Sequence, residues 1–216
     1  MSSGPVIIVL AAGLGSRFQD AGPKLSQPLG VTSVLGATLA QAQASQLPVV
    51  VVTTEALVDE AARHVARQDI VVLEAASARP VQGRGDLRAM NARLGMGASI
   101  AAGVSVSSNA SGWLILPGDM PMVQFSTLQR VAAALRDHAV AYAQHLGRRG
   151  HPVGFSGELY SELIQLQGDD GARRLVSRYP AAAIEVDDPG VLVDVDTVAD
   201  LAQVRALWAR AALAAG

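Results

Sequence analysis

The sequence predicts a three-layer α/β fold with a mainly parallel sheet, on three observations. Short, β-branched apolar runs recur along the chain. Helical patterns lie between them. The runs are mostly continuous rather than alternating with polar residues. Continuous apolar runs suit strands covered on both faces, and strands interleaved with helices build parallel sheets. The 216 residues suit one domain, 1–216, with no low-complexity linker and no solenoid repeat.

Each element follows in order. Pro5 opens the first strand, Val6 to Leu10, and Ser33 to Gln46 is Ala- and Leu-rich with one polar side, a helix. Val49 to Thr53 is the second strand. Glu55 to Gln68 opens with acids and closes with Arg63, His64 and Arg67, matching the helix dipole. Ile70 to Leu73 is the third strand. Ser99 to Val104 reads as a helix, and Leu114 to Leu116 as a strand between Trp113 and Pro117. Ser126 to His138 and Ser156 to Gln165 read as helices, with a strand starting near Gly150. Val191 to Val195 is the expected last strand and Thr197 to Ala212 the last helix. In such sheets ligands sit at the carboxyl ends of the strands, here the loops after Leu10, Thr53, Leu116 and Val195. Ala75 to Gly97 departs from the pattern. It sets Arg79, Arg84, Arg88 and Arg93 among glycines, Asp86 and Asn91. A long polar stretch of this kind is either disordered or functional, and here it is expected to close on a ligand.

Composition narrows the function. Half of the residues are apolar, 17% are charged, 4% are aromatic and none is cysteine. Disulfides, thiolate metal sites, iron–sulfur clusters and cysteine nucleophiles are therefore excluded. A net charge of −2 argues against a nucleic-acid partner, and the few aromatics argue against stacking on single strands. No apolar run approaches the ~20 residues of a membrane span. No basic residue precedes the first apolar stretch, so a secretory signal is not expected. The expectation is a cytoplasmic protein with no membrane partner.

The first strand runs into Ala11-Ala12-Gly13-Leu14-Gly15-Ser16-Arg17-Phe18. Small residues let backbone amides approach an anion closely. Arg17 adds a fork-shaped cation, and Lys24, after Gly22-Pro23, adds a point charge. The set suits a triphosphate, although an ordinary tight strand–helix turn has the same glycines. A Walker A loop would end in Gly-Lys-Ser/Thr, and a dinucleotide fingerprint would need a small residue where Phe18 stands. Leu116-Pro117-Gly118-Asp119-Met120-Pro121 sets one carboxylate just past a buried strand. There it either holds Mg²⁺ on a nucleotide or caps the next turn. Asp194 and Asp196 flank Val195. Alternation along a strand would send both to one face, with Asp194 favoured for metal and Asp196 for capping the last helix. Gly150-His151-Pro152-Val153 offers a lone histidine, a structural hydrogen-bonder as readily as a ligand. Gly168-Asp169-Asp170-Gly171-Ala172-Arg173 opens a short helix.

In this order the motifs resemble those of nucleotidyltransferases with a glycosyltransferase-A-like, Rossmann-like fold. Within them they resemble the molybdenum cofactor cytidylyltransferase branch of the MobA-like NTP transferase family. The residues that carry the likeness are Leu10 to Arg17 with Lys24, Gly95-Met96-Gly97-Ala98-Ser99-Ile100, Leu116 to Pro121, Gly150 to Val153, Gly168 to Arg173 and Asp194 to Thr197. The resemblance implies transfer of CMP from CTP to the terminal phosphate of molybdenum-bound molybdopterin, with release of pyrophosphate. It implies a catalytic set of Lys24, Arg17 and Asp119. The nucleotide would lie on Leu10, Ala11, Ala12, Gly13, Gly15, Ser16, Arg17, Lys24, Asn91, Gly97 and Ser99. The acceptor would face His151, Asp170 and Arg173, and Mg²⁺ would sit on Asp119 and Asp194. A molybdoenzyme or its chaperone is the implied protein partner. Where the family commonly has a glycine after the hydrophobic residue of the first loop, this chain has Gln19. A guanylyltransferase, a sugar-phosphate nucleotidyltransferase of the same fold and a noncatalytic nucleotide-binding partner of a molybdoenzyme are the alternatives.

Overall fold

A computed structural model describes residues 4–13, 23–73, 95–168 and 171–214. Seven strands form one sheet: β1 (Val6–Ala11), β4 (Val49–Thr53), β5 (Ile70–Val72), β6 (Gly112–Pro117), β7 (Val140–His145), β8 (Arg148–Ser156) and β9 (Ala181–Glu185), in the order β5-β4-β1-β6-β8-β7-β9. The first four are mutually parallel, β8 runs antiparallel to both β6 and β7, and β9 returns parallel to β7. A small hairpin, β2 (Pro28–Leu29) with β3 (Thr32–Ser33), stands apart from the sheet.

The three layers follow from β1 itself. Ile7, Val9 and Ala11 enter one core, and Val6 and Ile8 enter the other, so every residue of this central strand finds apolar cover. β6 divides in the same way, with Leu114 and Leu116 on one face and Trp113 and Ile115 on the other. The first core is closed by α1 (Val34–Ala44) through Leu35 and Leu39, and by short α2 (Val58–Ala61) through Ala61. The second is closed by α3 (Met96–Val106) through Ile100 and Val104. α4 (Phe125–Ala134) adds Leu128 and Val131 to the first core. Short α5 (Tyr160–Leu163) and α6 (Arg173–Arg178) add Leu163 and Leu175 to the second. The last helix, α7 (Val198–Ala214), returns to the first core with Leu201 and Val204. Among the described residues no helix is long and apolar enough to cross a membrane.

Two local expectations need correction. Glu55 to Gln68 is not one helix: it breaks into a 3-10 turn, α2 and a second 3-10 turn at Arg67–Asp69. The His64 carbonyl, which a continuing helix would use, instead accepts from the Gln43 side chain. Val191 to Val195 is not a strand. Pro189 and Gly190 start a 3-10 turn, Pro189–Leu192, capped by the Asp188 carboxylate on Gly190 N–H (3.0 Å). The chain packs so closely there that a Cβ on Gly190 would stand 2.0 Å from the Met122 carbonyl oxygen. The strands β7 and β9 carry no strong sequence signal, being Ala-rich, and form by pairing with each other and with β8.

Asp188 is 2% exposed and binds three groups. Besides Gly190, its Oδ2 accepts from Gln124 N–H (2.9 Å) and the Thr127 hydroxyl (2.7 Å), satisfying the start of α4 from a distant segment. Asp188→Ala is expected to cost about 2 kcal/mol of unfolding free energy, read from the urea midpoint, since it removes a helix cap and orphans buried donors.

Candidate active site

The site grows from the parallel pairing of β1 with β6. Leu10 stands beside Pro117, and one residue on, Gly118 N–H donates to the Leu10 carbonyl at 2.8 Å. The Thr38 hydroxyl of α1 donates to the Gly118 carbonyl at 3.0 Å. Val195 N–H donates to the Asp119 carbonyl at 3.0 Å. Three elements thus fix the backbone around Asp119, directly beside the loop that leaves β1. Ala11 and Ala12 are buried there and Gly13 is exposed.

Lys24 enters from the opposite wall. It starts a 3-10 turn, Lys24–Ser26, whose Leu25 is buried and whose Lys24 carbonyl accepts from Gln27 N–H at 3.2 Å. The hairpin that follows is held by α7: Arg205 Nε donates to the Pro28 carbonyl at 2.9 Å, and Gly30 lies against the Trp208 indole. From this footing the Lys24 ammonium reaches Asp119 Oδ2 at 2.6 Å and Asp196 Oδ1 at 3.0 Å. Burial alone would lower the lysine's pKa, but the charges and hydrogen bonds of Asp119 and Asp196 outweigh it and hold the ammonium above the ordinary lysine range. Among the described residues, the other Asp119 oxygen, Oδ1, is buried without a hydrogen-bond partner.

Asp196 does not take the capping role expected of it. Asp196 makes the contact with Lys24, and the last helix is capped by its neighbour. The Thr197 N–H and hydroxyl donate to Asp200 Oδ2 at 2.7 and 2.8 Å, and Asp200 N–H donates back to the Thr197 hydroxyl at 3.2 Å. These bonds from Thr197 hold the Asp200 carboxyl below its usual range. Thr197-x-x-Asp200 is a capping-box pattern, and it was the sequence signal that would have freed Asp196 for the site. Asp194 is exposed in the segment between. Partial burial raises its pKa first, and the charges of Asp119 and Asp196 push it the same way.

His151 also faces this cluster. It lies on β8, which pairs antiparallel with β6, and its imidazole feels the Asp119 charge. Burial lowers its pKa, Asp119 and the Ile115 backbone oppose that, and Arg149 adds to the lowering, so the ring is neutral near pH 7. Among the described residues its Nδ1 is buried without a partner.

The remaining expected residues stand elsewhere. Gly97 N–H donates to the Gly168 carbonyl at 2.8 Å, and a Cβ on Gly97 would stand 2.8 Å from the Gln167 backbone. The small residue at the start of α3 is therefore needed by the protein's own loop. Ser99 is 4% exposed and turns its hydroxyl back to the Gly95 carbonyl at 3.3 Å. Arg173 opens α6, in the layer on the other face of the sheet from α1 and α7, and shares an open depression with Arg174, Ser177 and Arg178. Gly15, Ser16, Arg17, Asn91, Asp170 and the arginines from Arg79 to Arg93 lie outside the described residues.

Two carboxylate oxygens converge on one cation here, and a third is buried and unpartnered. Among the described residues no cluster of three or more metal-ligating side chains occurs. That donor set fits a hard divalent ion of the Mg²⁺ kind, which takes one or two carboxylates and completes its shell with water and phosphate oxygens.

Known proteins share this architecture. The model of the MobA-like NTP transferase domain matches residues 7–183. Purine catabolism protein PucB of Bacillus subtilis (strain 168) is 31% identical over 204 residues, spanning 92% of this chain and 94% of PucB. The crystal structure of Rv0371c from Mycobacterium tuberculosis H37Rv is similar with a TM-score of 0.76 at 28% identity, covering 94% of this chain and 99% of that one. A complex of Rv0371c with manganese gives a TM-score of 0.68 at 27% identity, covering 95% and 100%. Molybdopterin-guanine dinucleotide biosynthesis protein A from Archaeoglobus fulgidus shares the fold, with a TM-score of 0.64 at 15% identity, covering 95% and 99%.

Because folded His151 titrates below the ordinary imidazole value of 6.5, the unfolded chain takes up a proton first as the pH falls. Its contribution to stability is full above that value and declines as the pH drops below it. In His151→Gln this part of the decline should vanish, which urea denaturation between about pH 5 and about pH 8 will read; equal slopes in both proteins would count against a buried neutral ring.

Proposed function

The chain belongs to the MobA-like NTP transferase family and is a nucleotidyltransferase, and we propose that it moves CMP from CTP to the terminal phosphate of molybdenum-bound molybdopterin. An oxygen of that phosphate attacks the α-phosphorus of CTP. The bond from the α-phosphorus to the bridging oxygen breaks, and pyrophosphate leaves. The acceptor phosphate is already ionised, so no general base is needed. What the chain must supply is alignment and charge neutralisation.

One observation carries this reading: Asp119, at the carboxyl end of β6, holds the Lys24 ammonium with one oxygen and keeps the other buried and unpartnered. The end of β1 and the loop after it, from Leu10 through Ala11, Ala12 and Gly13, offer backbone amides to the triphosphate, and Arg17 is assigned there on the sequence pattern alone. Lys24 neutralises charge developing on the α-phosphate. Mg²⁺, when bound, withdraws charge from the phosphate oxygens, and Asp119 with Asp196 are the carboxylates this chain offers it. Asp194 adds negative charge beside them. His151, neutral and next to Asp119, presents a hydrogen-bonding edge on the acceptor side. The base and the acceptor rest on the likeness of Gly95 to Ile100 and of Gly168 to Arg173 to the cytidylyl branch. A molybdoenzyme or its chaperone is the protein partner that this product requires, and a cytoplasmic location goes with it.

A thermal-shift panel of CTP, GTP, ATP and UTP with Mg²⁺ tests the nucleotide, because a ligand that binds only the native state stabilises it by mass action. The expected result is the largest shift with CTP. A preference for GTP would turn the reading to a guanylyltransferase, one for UTP to a sugar-phosphate nucleotidyltransferase, and no shift with any of them to a noncatalytic partner. Asp119→Ala should abolish pyrophosphate release while the circular dichroism spectrum is kept. Lys24→Ala should lower kcat far more than it raises the nucleotide Kd; an unchanged kcat would remove Lys24 from the reaction.

A further inference from the structure

Lys24 does more in this geometry than wait for a phosphate. Its ammonium stands between Asp119 and Asp196, 2.6 and 3.0 Å from one oxygen of each, with only 14% of the lysine side chain and 17% of the Asp119 side chain exposed. These are the two carboxylates on which a divalent ion would also draw. Such an ion binds carboxylate oxygens at ~2.0–2.1 Å and draws on the same two carboxylates that the ammonium now holds. Two cations on this pair of carboxylates repel, most strongly at Asp119, since Asp196 is 44% exposed.

We propose that Lys24 is the built-in counter-ion of the metal site and trades places with the divalent ion, closing Asp119 and Asp196 to metal until a triphosphate draws the ammonium away. The triphosphate half of this exchange rests on the transferase reading above; the competition between ammonium and metal does not.

The structure supplies the parts. The Lys24 backbone is fixed by Gln27 N–H on its carbonyl, by buried Leu25 beside it and by the Arg205 bond to Pro28. The exchange is therefore a swing of the four-carbon stem about the fixed Lys24–Ser26 turn. Asp119 Oδ1 stays unpartnered while Oδ2 holds the lysine, so an arriving ion finds one buried oxygen open before the ion pair breaks. Removing the ammonium leaves the carboxylates of Asp119 and Asp196 to a doubly charged ion. By linkage, whatever takes Lys24 raises metal affinity, and metal raises the affinity for that ligand by the same factor. The free protein then carries little metal, and nucleotide and ion load together.

Titration with Mn²⁺ alone, followed by the electron paramagnetic resonance signal of the free ion, tests the exchange without nucleotide or turnover. Lys24→Met and Lys24→Gln should bind Mn²⁺ more tightly than wild type, by a factor within the ~5- to 150-fold range of ordinary site couplings. Adding Asp119→Asn to either variant should erase the gain. Lys24→Gln keeps a donor for the carboxylates and carries the test if Lys24→Met fails to fold. Mn²⁺ affinity equal to or weaker than wild type overturns the proposal, and so does a gain that survives Asp119→Asn. The two readings separate cleanly. A gain in Mn²⁺ affinity, with no nucleotide stabilising the chain, supports the exchange and removes the transferase reading. Pyrophosphate release with Mn²⁺ affinity unchanged across the variants does the reverse.

Discussion

The parallel pairing of β1 with β6 is the constraint from which the site follows. Both strands are buried on both faces, and both run in the same direction, so their carboxyl ends emerge side by side. One further backbone bond, Gly118 N–H to the Leu10 carbonyl, extends the ladder past the sheet. It sets Asp119 against the loop that leaves β1 before any side chain contributes. The carboxylate is placed by rigid backbone, and the lysine is brought to it on a flexible stem. That division suits phosphoryl chemistry, where the anchor must be fixed and the mobile charge must follow the phosphate.

Ion pairs in partly dry surroundings cost desolvation that their attraction only partly offsets. The Lys24–Asp119–Asp196 group is such a case, and its members contribute little to the cores on either face. Fold stability rests elsewhere, on the two apolar layers and on devices such as Asp188 under α4. The charged group is better understood as chemistry the fold can support than as a source of its stability.

How much of this was legible in the sequence depends on what each segment needs from its neighbours. β1, β4 and the core of β6 are apolar on both faces, and their runs of Val, Ile and Leu state as much directly. The strands β7 and β9 do not, because Ala-Tyr-Ala and Ala-Ala-Ala-Ile become extended only through partners far along the chain. Asp119 was legible because Pro117, Gly118 and Pro121 mark a rigid turn at a strand end. Asp196 was less so, because its place before Thr197 suggested the cap of the last helix, a role that Thr197 fills with Asp200. Gly97 shows a further limit. A glycine read as room for a ligand is here room for the Gln167 backbone, and sequence alone does not tell the two apart.

The last helix touches both sides of the charged cluster. Its start follows Asp196 directly, and further along Arg205 and Trp208 hold the hairpin behind Lys24. It adds no strand to the sheet. The family match ends at residue 183, inside the last strand, well before either Asp196 or this helix. The outline matched by the family and the outline of the candidate site therefore have different boundaries. A chain trimmed to the first would keep nearly all of the sheet yet lose one of the two acids on Lys24 and the brace that aims it.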